Sequence, residues 1–122
     1  MRAVRRLFVL FAVLSALGCA PTQRDDELEL TYYYLQYCRV CDATRAQLSK
    51  LPDELHGQVK VRMVQSLAPE AKVTAEKLNW QSHGLVIARG PQIIYSARDH
   101  RANGYDAHVA LRDALGLPLD CR

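Results

Sequence analysis

Two cysteines separated by two residues are the part of the sequence best suited to chemistry. Cys38 and Cys41 lie between an apolar, strand-like segment and a helical pattern. At this spacing two thiols can form a disulfide across one helical turn, and the first sulfur faces the unpaired backbone N–H groups of the helix start. Those groups and the positive end of the helix dipole favour a thiolate. We therefore predict that Cys38 is a nucleophile and Cys41 its resolving partner.

The residues around the pair bear on the same chemistry. Arg39 adds a positive charge next to Cys38, which also favours the thiolate. Attachment of a c-type haem is disfavoured, because Asp42 stands where that attachment sequence requires histidine.

The N-terminus has the features of a targeting segment. Arg2, Arg5 and Arg6 precede an apolar run of eleven residues, 7–17. A run of that length is too short to cross about 30 Å of hydrocarbon and is typical of a signal peptide. The Ser-Ala-Leu-Gly-Cys sequence at residues 15–19 resembles the bacterial lipobox, which implies removal of residues 1–18 and lipidation of Cys19. The alternative is an ordinary signal peptide with Cys19 as a free thiol.

Charge and the remaining cysteine limit the partners of the chain. The three N-terminal arginines account for the whole formal net charge of +3, and the other basic residues are scattered. We therefore expect no nucleic-acid binding. Export would place the chain in an oxidising compartment where disulfides persist. There Cys121 would either form an intermolecular or regulatory disulfide or remain a tail thiol without a role.

The elements that must position the thiols alternate between strand and helix patterns. After a polar tether at residues 19–27, we predict a domain at 28–117 and a tail at 118–122. Its predicted strands are 28–35, 58–63, 85–88 and 92–96, and its predicted helices are 39–51, 69–79 and 105–115. Right-handed crossovers predict three parallel strands followed by an antiparallel one, with helices on both faces. The thiols would then lie at the carboxyl end of a central strand.

Two features of this pattern carry further predictions. The second strand alternates apolar and charged residues and is expected at a sheet edge, whereas the first has both faces covered. The first helix is expected to end at Pro52 and to bury one apolar side, formed by Val40, Ala43, Ala46, Leu48 and Leu51.

From Leu28 to Leu115 the chain resembles the thioredoxin family. The resemblance rests on the element order and on the Cys-x-x-Cys sequence between the first core strand and its helix, together with the hairpin before the last helix. It implies an α/β, thioredoxin-like fold with a central four-stranded mixed sheet (β-α-β-α-β-β-α) and helices on both faces. It also implies thiol–disulfide exchange, in which Cys38 attacks and Cys41 resolves the mixed disulfide.

The sequence departs from the thioredoxin pattern near the thiols. Gly84 stands where the family usually has a cis-proline, and Tyr32 where many members have a buried acid, for which Asp42 or His83 could substitute. Tyr37 replaces the usual tryptophan, and the Arg-Val pair at 39–40 replaces Gly-Pro. Because the residues between the cysteines help to set the reduction potential, the direction of electron flow stays open.

The chain has four histidines, and one of them is a candidate for a functional role. His83 could stabilise the Cys38 thiolate, transfer protons near neutral pH or complete a Cys-Cys-His metal site, or it could be an ordinary loop histidine. We assign no chemistry to His56, His100 or His108.

The leading prediction is an exported, lipid-anchored thiol–disulfide oxidoreductase with no cofactor and no resident metal. Its partners would be exported proteins with thiols or disulfides, a membrane or periplasmic redox partner, and the membrane itself. One alternative is a protein that binds a soft metal, copper or zinc, through Cys38, Cys41 and His83. The other is an interaction module of the same fold whose disulfide is only structural.

Overall fold

The computed structural model describes residues 27–118. The predicted signal peptide, the predicted lipidation site Cys19, most of the predicted tether and Cys121 lie outside the described residues. Within 27–118, no helix has the length and apolar character needed to cross a membrane.

The chain alternates between strands and helices in the predicted order. The elements are β1 (Leu28–Tyr34), α1 (Arg39–Leu48), α2 (Leu51–Glu54), β2 (Val59–Gln65), α3 (Pro69–Lys77), β3 (Gly84–Arg89), β4 (Gln92–Arg98), a 3-10 turn (Asp99–Arg101) and α4 (Gly104–Ala114). Gly90 turns the β3–β4 hairpin with a left-handed φ of 55°.

The strands form one four-stranded mixed sheet in the order β2-β1-β3-β4. β1 and β2 are parallel, so β2 lies at an edge as predicted. β3 is antiparallel to β1 and to β4, so the prediction of three parallel strands is wrong. The handedness rule applies to a connection between parallel strands and does not decide whether the next strand is parallel.

The direction of β3 has a consequence for the site. β2 is parallel to β1, whereas β3 is antiparallel to it. The connection that contains α3 therefore leaves and re-enters the sheet at the same end. As a result β1, β2 and β4 all finish at that end, and β3 begins there.

Helices cover both faces of the sheet, as predicted. Alternate residues of β1, Leu28, Leu30 and Tyr32, join one buried cluster with residues of α1, α2 and α4. On the opposite face Tyr33 packs with Ala71 of α3 and with residues of β3 and β4. Because both faces of β1 are buried, this strand gives the thiols a rigid support.

The helix that follows the first cysteine is shorter than predicted. α1 ends at Leu48, and a separate short helix, α2, begins at Leu51 with Pro52 in its first turn. Pro52 therefore starts a helix instead of ending one, because the first helical turn does not need its missing N–H.

The buried side of α1 also differs from the prediction. Cys41, Thr44 and Leu48 are buried, whereas Val40, Ala43 and Ala46 are exposed. Spacings of three and then four residues hold side chains on one helix face, whereas repeated steps of three drift around the helix. Cys41 therefore points into the core.

Candidate active site

Cys38 occupies the N-cap position of α1. β1 ends at Tyr34, Tyr37 adopts a left-handed φ of 60°, and Cys38 is extended. Its Sγ accepts a hydrogen bond from the backbone N–H of Cys41 at 3.2 Å. A sulfur at this position meets one of the unpaired N–H groups of the helix start, so a negative charge on it is stabilised.

Three contacts hold the pKa of the Cys38 thiol below its usual range. The largest effect comes from the hydrogen bond with the Cys41 thiol, the next from the Cys41 backbone N–H, and a third from His100. The partial burial of Cys38 acts in the opposite direction but does not outweigh them. Because the side chain is only partly buried, the thiolate is also within reach of another molecule.

The surroundings of Cys41 shift the pKa of its thiol in the opposite direction. Its side chain is fully buried, and burial raises the pKa of the Cys41 thiol, helped by its hydrogen bond with Cys38. Both cysteines are free thiols in this structure. The pair is therefore arranged as an ionisable outer sulfur supported by a protonated inner one.

His100, to which the sequence assigns no chemistry, is part of the site. Its Nε2 lies 3.7 Å from the Cys38 Sγ, although the two residues are 62 positions apart. His100 belongs to the 3-10 turn that follows β4. The position of His100 near the thiols could be predicted only from the strand directions. β4 ends beside the end of β1 only when β3 is antiparallel to β1.

His83 lies behind His100. It is buried, its Nδ1 is 2.7 Å from the Ser82 hydroxyl oxygen, and its ring meets that of His100 edge-on with centroids 5.0 Å apart. Within residues 27–118 it makes no hydrogen bond to either thiol, and its Nε2 has no partner. Burial lowers the pKa of His83, and the neighbouring His100 acts in the same direction. His83 therefore packs as a neutral ring against the histidine that contacts the sulfur.

Two other candidate tuning residues lie on the exposed side of α1. Arg39 is exposed at the first position of the helix. Asp42 is exposed too, and its Oδ1 is 3.4 Å from Nη1 of Arg45, whose guanidinium lies 4.1 Å from the centre of the Tyr34 ring. An ion pair on the surface of the first turn suits the helix dipole. This position does not suit Asp42 to accept a proton from the buried Cys41.

Gly84 is enclosed by its neighbours at the start of β3. A Cβ atom at this position would lie 2.6 Å from the Ala97 carbonyl oxygen and 2.8 Å from the Trp80 ring. The described chain contains no cis peptide bond. Gly84 therefore stands where thioredoxins usually have a proline, and the Trp80 ring packs against it because glycine has no side chain.

Tyr32 fills the position that resembles the buried acid of thioredoxins. It is almost fully buried, and burial is the main cause that raises the pKa of its phenol. The neighbouring Cys41 thiol also raises the pKa of the Tyr32 phenol. A phenol that stays protonated cannot accept the proton of Cys41, so that proton must leave by another route.

The site presents two sets of groups to a ligand. The Cys38 Sγ, the Cys41 Sγ and one ring nitrogen of His100 all lie within 4.8 Å of one another, so these three residues could hold a metal ion. Exposed apolar side chains occupy segments at the same end of the sheet: Tyr37, Val40, Leu67 and Tyr105. The arrangement can therefore supply a thiolate, a second thiol, an imidazole and an apolar contact surface.

Solved structures of thioredoxins match this chain over about three quarters of its length. The thioredoxin of Trypanosoma brucei brucei is 20% identical, with a TM-score of 0.60, over 75% of this chain and 77% of that one. Thioredoxin f2 of Chlamydomonas reinhardtii is 20% identical, with a TM-score of 0.57, over 79% of this chain and 85% of that one. Thioredoxin-2 of a malaria parasite is 14% identical, with a TM-score of 0.59, over 75% of this chain and 86% of that one. That protein is described as a component of the parasite's protein secretion machinery.

These likenesses confirm that the chain has a thioredoxin-like fold. No family model matches the sequence, and no curated protein does.

Proposed function

We propose that this protein is a thiol–disulfide oxidoreductase that acts on exported proteins through Cys38 and Cys41 while anchored to a membrane by a lipid on Cys19. The observation that carries the proposal is the environment of the Cys38 sulfur. It accepts a hydrogen bond from the start of α1, lies beside the Cys41 thiol and His100, and remains partly exposed. A thiolate with a protonated thiol next to it is what disulfide exchange requires.

The reaction follows from the two unequal thiols. The Cys38 thiolate attacks one sulfur of a substrate disulfide, the substrate S–S bond breaks, and the other substrate sulfur leaves as a thiolate that takes up a proton. Cys41 then loses its proton and attacks the Cys38 sulfur, which releases the second substrate thiolate. The products are a Cys38–Cys41 disulfide and a substrate reduced by two electrons, and the reverse sequence oxidises a dithiol substrate. A redox partner must restore the starting form.

The exposed apolar side chains support protein substrates. Tyr37 is 94% exposed and Val40 is 50% exposed, and both flank Cys38 in sequence. Leu67 follows β2 and Tyr105 lies in the first turn of α4, at the end of the sheet where the thiols lie. Exposed apolar groups around a reactive sulfur suit contact with a polypeptide surface.

Exchange is tested by trapping the mixed disulfide. Cys41→Ser should accumulate a covalent adduct between Cys38 and a disulfide-containing protein, because the resolving thiol is gone. Cys38→Ser should form no adduct and should lose dithiol-driven reduction of insulin. The proposal fails if the wild-type chain neither reduces insulin nor refolds a scrambled disulfide substrate, or if Cys38→Ser retains the wild-type rate.

Membrane anchoring rests on the N-terminal sequence and has its own test. We expect labelled palmitate to enter the wild-type chain, and we expect globomycin to leave the precursor uncleaved. Cys19→Ser should take up no label while keeping Cys38 and Cys41 intact. Normal cleavage of the precursor in the presence of globomycin, or equal label in Cys19→Ser, would contradict a lipid anchor at this residue.

A further inference from the structure

Three metal-binding side chains from two distant parts of the sequence converge at the start of α1. Cys38 and Cys41 come from the first turn of that helix, and His100 comes from the turn after β4. Their sulfur and nitrogen atoms all lie within 4.8 Å of one another. We propose that the dithiol form of this protein binds one thiophilic metal ion, Cu(I) or Zn(II), through these three residues.

The distance between the Cys38 sulfur and the His100 nitrogen fits one metal ion bound to both. A metal about 2.3 Å from sulfur and about 2.0 Å from nitrogen places those two atoms roughly 3.5 Å apart at a tetrahedral angle and roughly 3.7 Å apart at a trigonal one. The Cys38 Sγ and the His100 Nε2 are 3.7 Å apart. Only small shifts are needed for both atoms to bind one ion.

The chemistry of the donors selects the kind of ion. Two thiolates and an imidazole suit Cu(I) and Zn(II), whereas Mg²⁺ and Ca²⁺ take oxygen ligands. No fourth histidine, cysteine or carboxylate joins the group within residues 27–118. Cu(I) would therefore be three-coordinate, and Zn(II) would keep one position for water or another ligand. His100 is exposed and Cys38 is partly exposed, which gives the ion a path to the site.

The third ligand is held in place by its own surroundings. Asp99 adopts a left-handed φ of 54°, and its N–H donates a hydrogen bond to the His83 carbonyl oxygen at 2.9 Å. The buried ring of His83 packs against the ring of His100. These contacts fix the turn that carries His100. In this site His100 is the third ligand beside the two cysteines, and His83 packs behind it and holds its ring in place.

Metal binding and disulfide formation would exclude each other. Oxidised glutathione converts the two thiols into a Cys38–Cys41 disulfide and takes up two electrons and two protons as it becomes two reduced glutathione molecules. A disulfide offers no thiolate to a metal, so the oxidised protein should bind none. This inference does not depend on the exchange activity, since a protein inactive toward disulfides could still bind the ion.

The first experiment measures binding by the full-length chain, reduced and freed of metal with a chelator. Cu(I) is titrated in competition with bicinchoninate, and Zn(II) in competition with 4-(2-pyridylazo)resorcinol. We expect one ion per chain for at least one of the two metals, and none after oxidation with glutathione disulfide. X-ray absorption of the loaded protein should show two sulfur neighbours and one imidazole nitrogen.

The second experiment assigns the ligands. His100→Ala should weaken binding at least about tenfold and remove the imidazole signal. The control is His56→Asn, which removes an exposed imidazole at a left-handed position that asparagine tolerates, and should leave the affinity unchanged. Circular dichroism shows that each variant is folded.

Three results would overturn the proposal. They are no binding of either metal by the reduced chain, equal affinity in His100→Ala and His56→Asn, and an all-sulfur site shared by two chains. Insulin reduction is measured separately in the presence of a chelator. It tests disulfide exchange without metal, so a failure of metal binding can be told apart from a failure of exchange.

Discussion

Cys38 and Cys41 are identical residues three positions apart whose surroundings shift their pKa values in opposite directions. The outer sulfur meets a backbone N–H, a thiol and an imidazole, and the inner one is enclosed by the core. Their two roles could be predicted from the sequence because the N-cap environment is local. The contact with His100 could not, because it depends on the pairing of β3 and β4.

The His100 contact carries a prediction for metal-free protein. His100 helps to lower the pKa of Cys38, so His100→Ala should raise that pKa and leave less thiolate at pH 7. The alkylation of Cys38 by iodoacetamide at pH 7 should slow roughly two- to tenfold. His56→Asn serves as the control and should react at the wild-type rate. An unchanged rate in His100→Ala would show that this imidazole does not stabilise the thiolate.

Individual elements differ in how far the sequence determines them. The order of strands and helices follows from periodicity, and the burial of β1 follows from its apolar run. The direction of β3 and the buried side of α1 do not. The direction of β3 depends on the end of the sheet to which the β2–β3 connection returns, and the buried side of α1 depends on which residues keep a three-then-four spacing. The direction of β3 is set by contacts between elements, which the pattern within one element does not contain. The buried side of α1 includes a cysteine and a threonine, which the apolar pattern alone does not mark as buried.

The start of β3 gives a prediction about stability. In Gly84→Ala the new methyl group would meet the Ala97 carbonyl oxygen and the Trp80 ring at distances below van der Waals contact. We expect the free energy of unfolding to fall by about 1–3 kcal/mol, measured by urea denaturation. Ser96→Ala, an exposed change on the neighbouring strand, should stay within about 0.5 kcal/mol of wild type. Equal stability of the two variants would mean that Gly84 is not confined.

At the scale of the whole molecule, the sequence predicted the α/β class and the thioredoxin-like fold. The four-stranded mixed sheet, the hairpin before α4 and the helices on both faces agree with that prediction. The sequence did not indicate which way electrons flow, because the potential depends on the sum of contacts around two sulfurs. Those contacts now favour the reduced form, since they stabilise the Cys38 thiolate.

The preference for the reduced form leads to a prediction for the reduction potential of the Cys38–Cys41 couple. A lowered pKa for Cys38 stabilises the dithiol form at every pH above that pKa, which makes the disulfide easier to reduce. Equilibration with glutathione buffers should place the potential in the range of exchange catalysts, about −270 to −120 mV. A value below about −300 mV would instead indicate a structural disulfide in an interaction module.

The central claim is that Cys38 is a thiolate nucleophile near neutral pH, and the pH dependence of its alkylation tests it most directly. Reduced, metal-free protein is treated with iodoacetamide across a pH series, and mass spectrometry follows the Cys38 and Cys41 peptides separately. Because the thiolate is the reactive form, a lowered pKa moves the rise in rate to lower pH. The account predicts an inflection for Cys38 clearly below about 8.5, with Cys41 labelled only at higher pH. An inflection for Cys38 at or above that value, or faster labelling of Cys41, would contradict it.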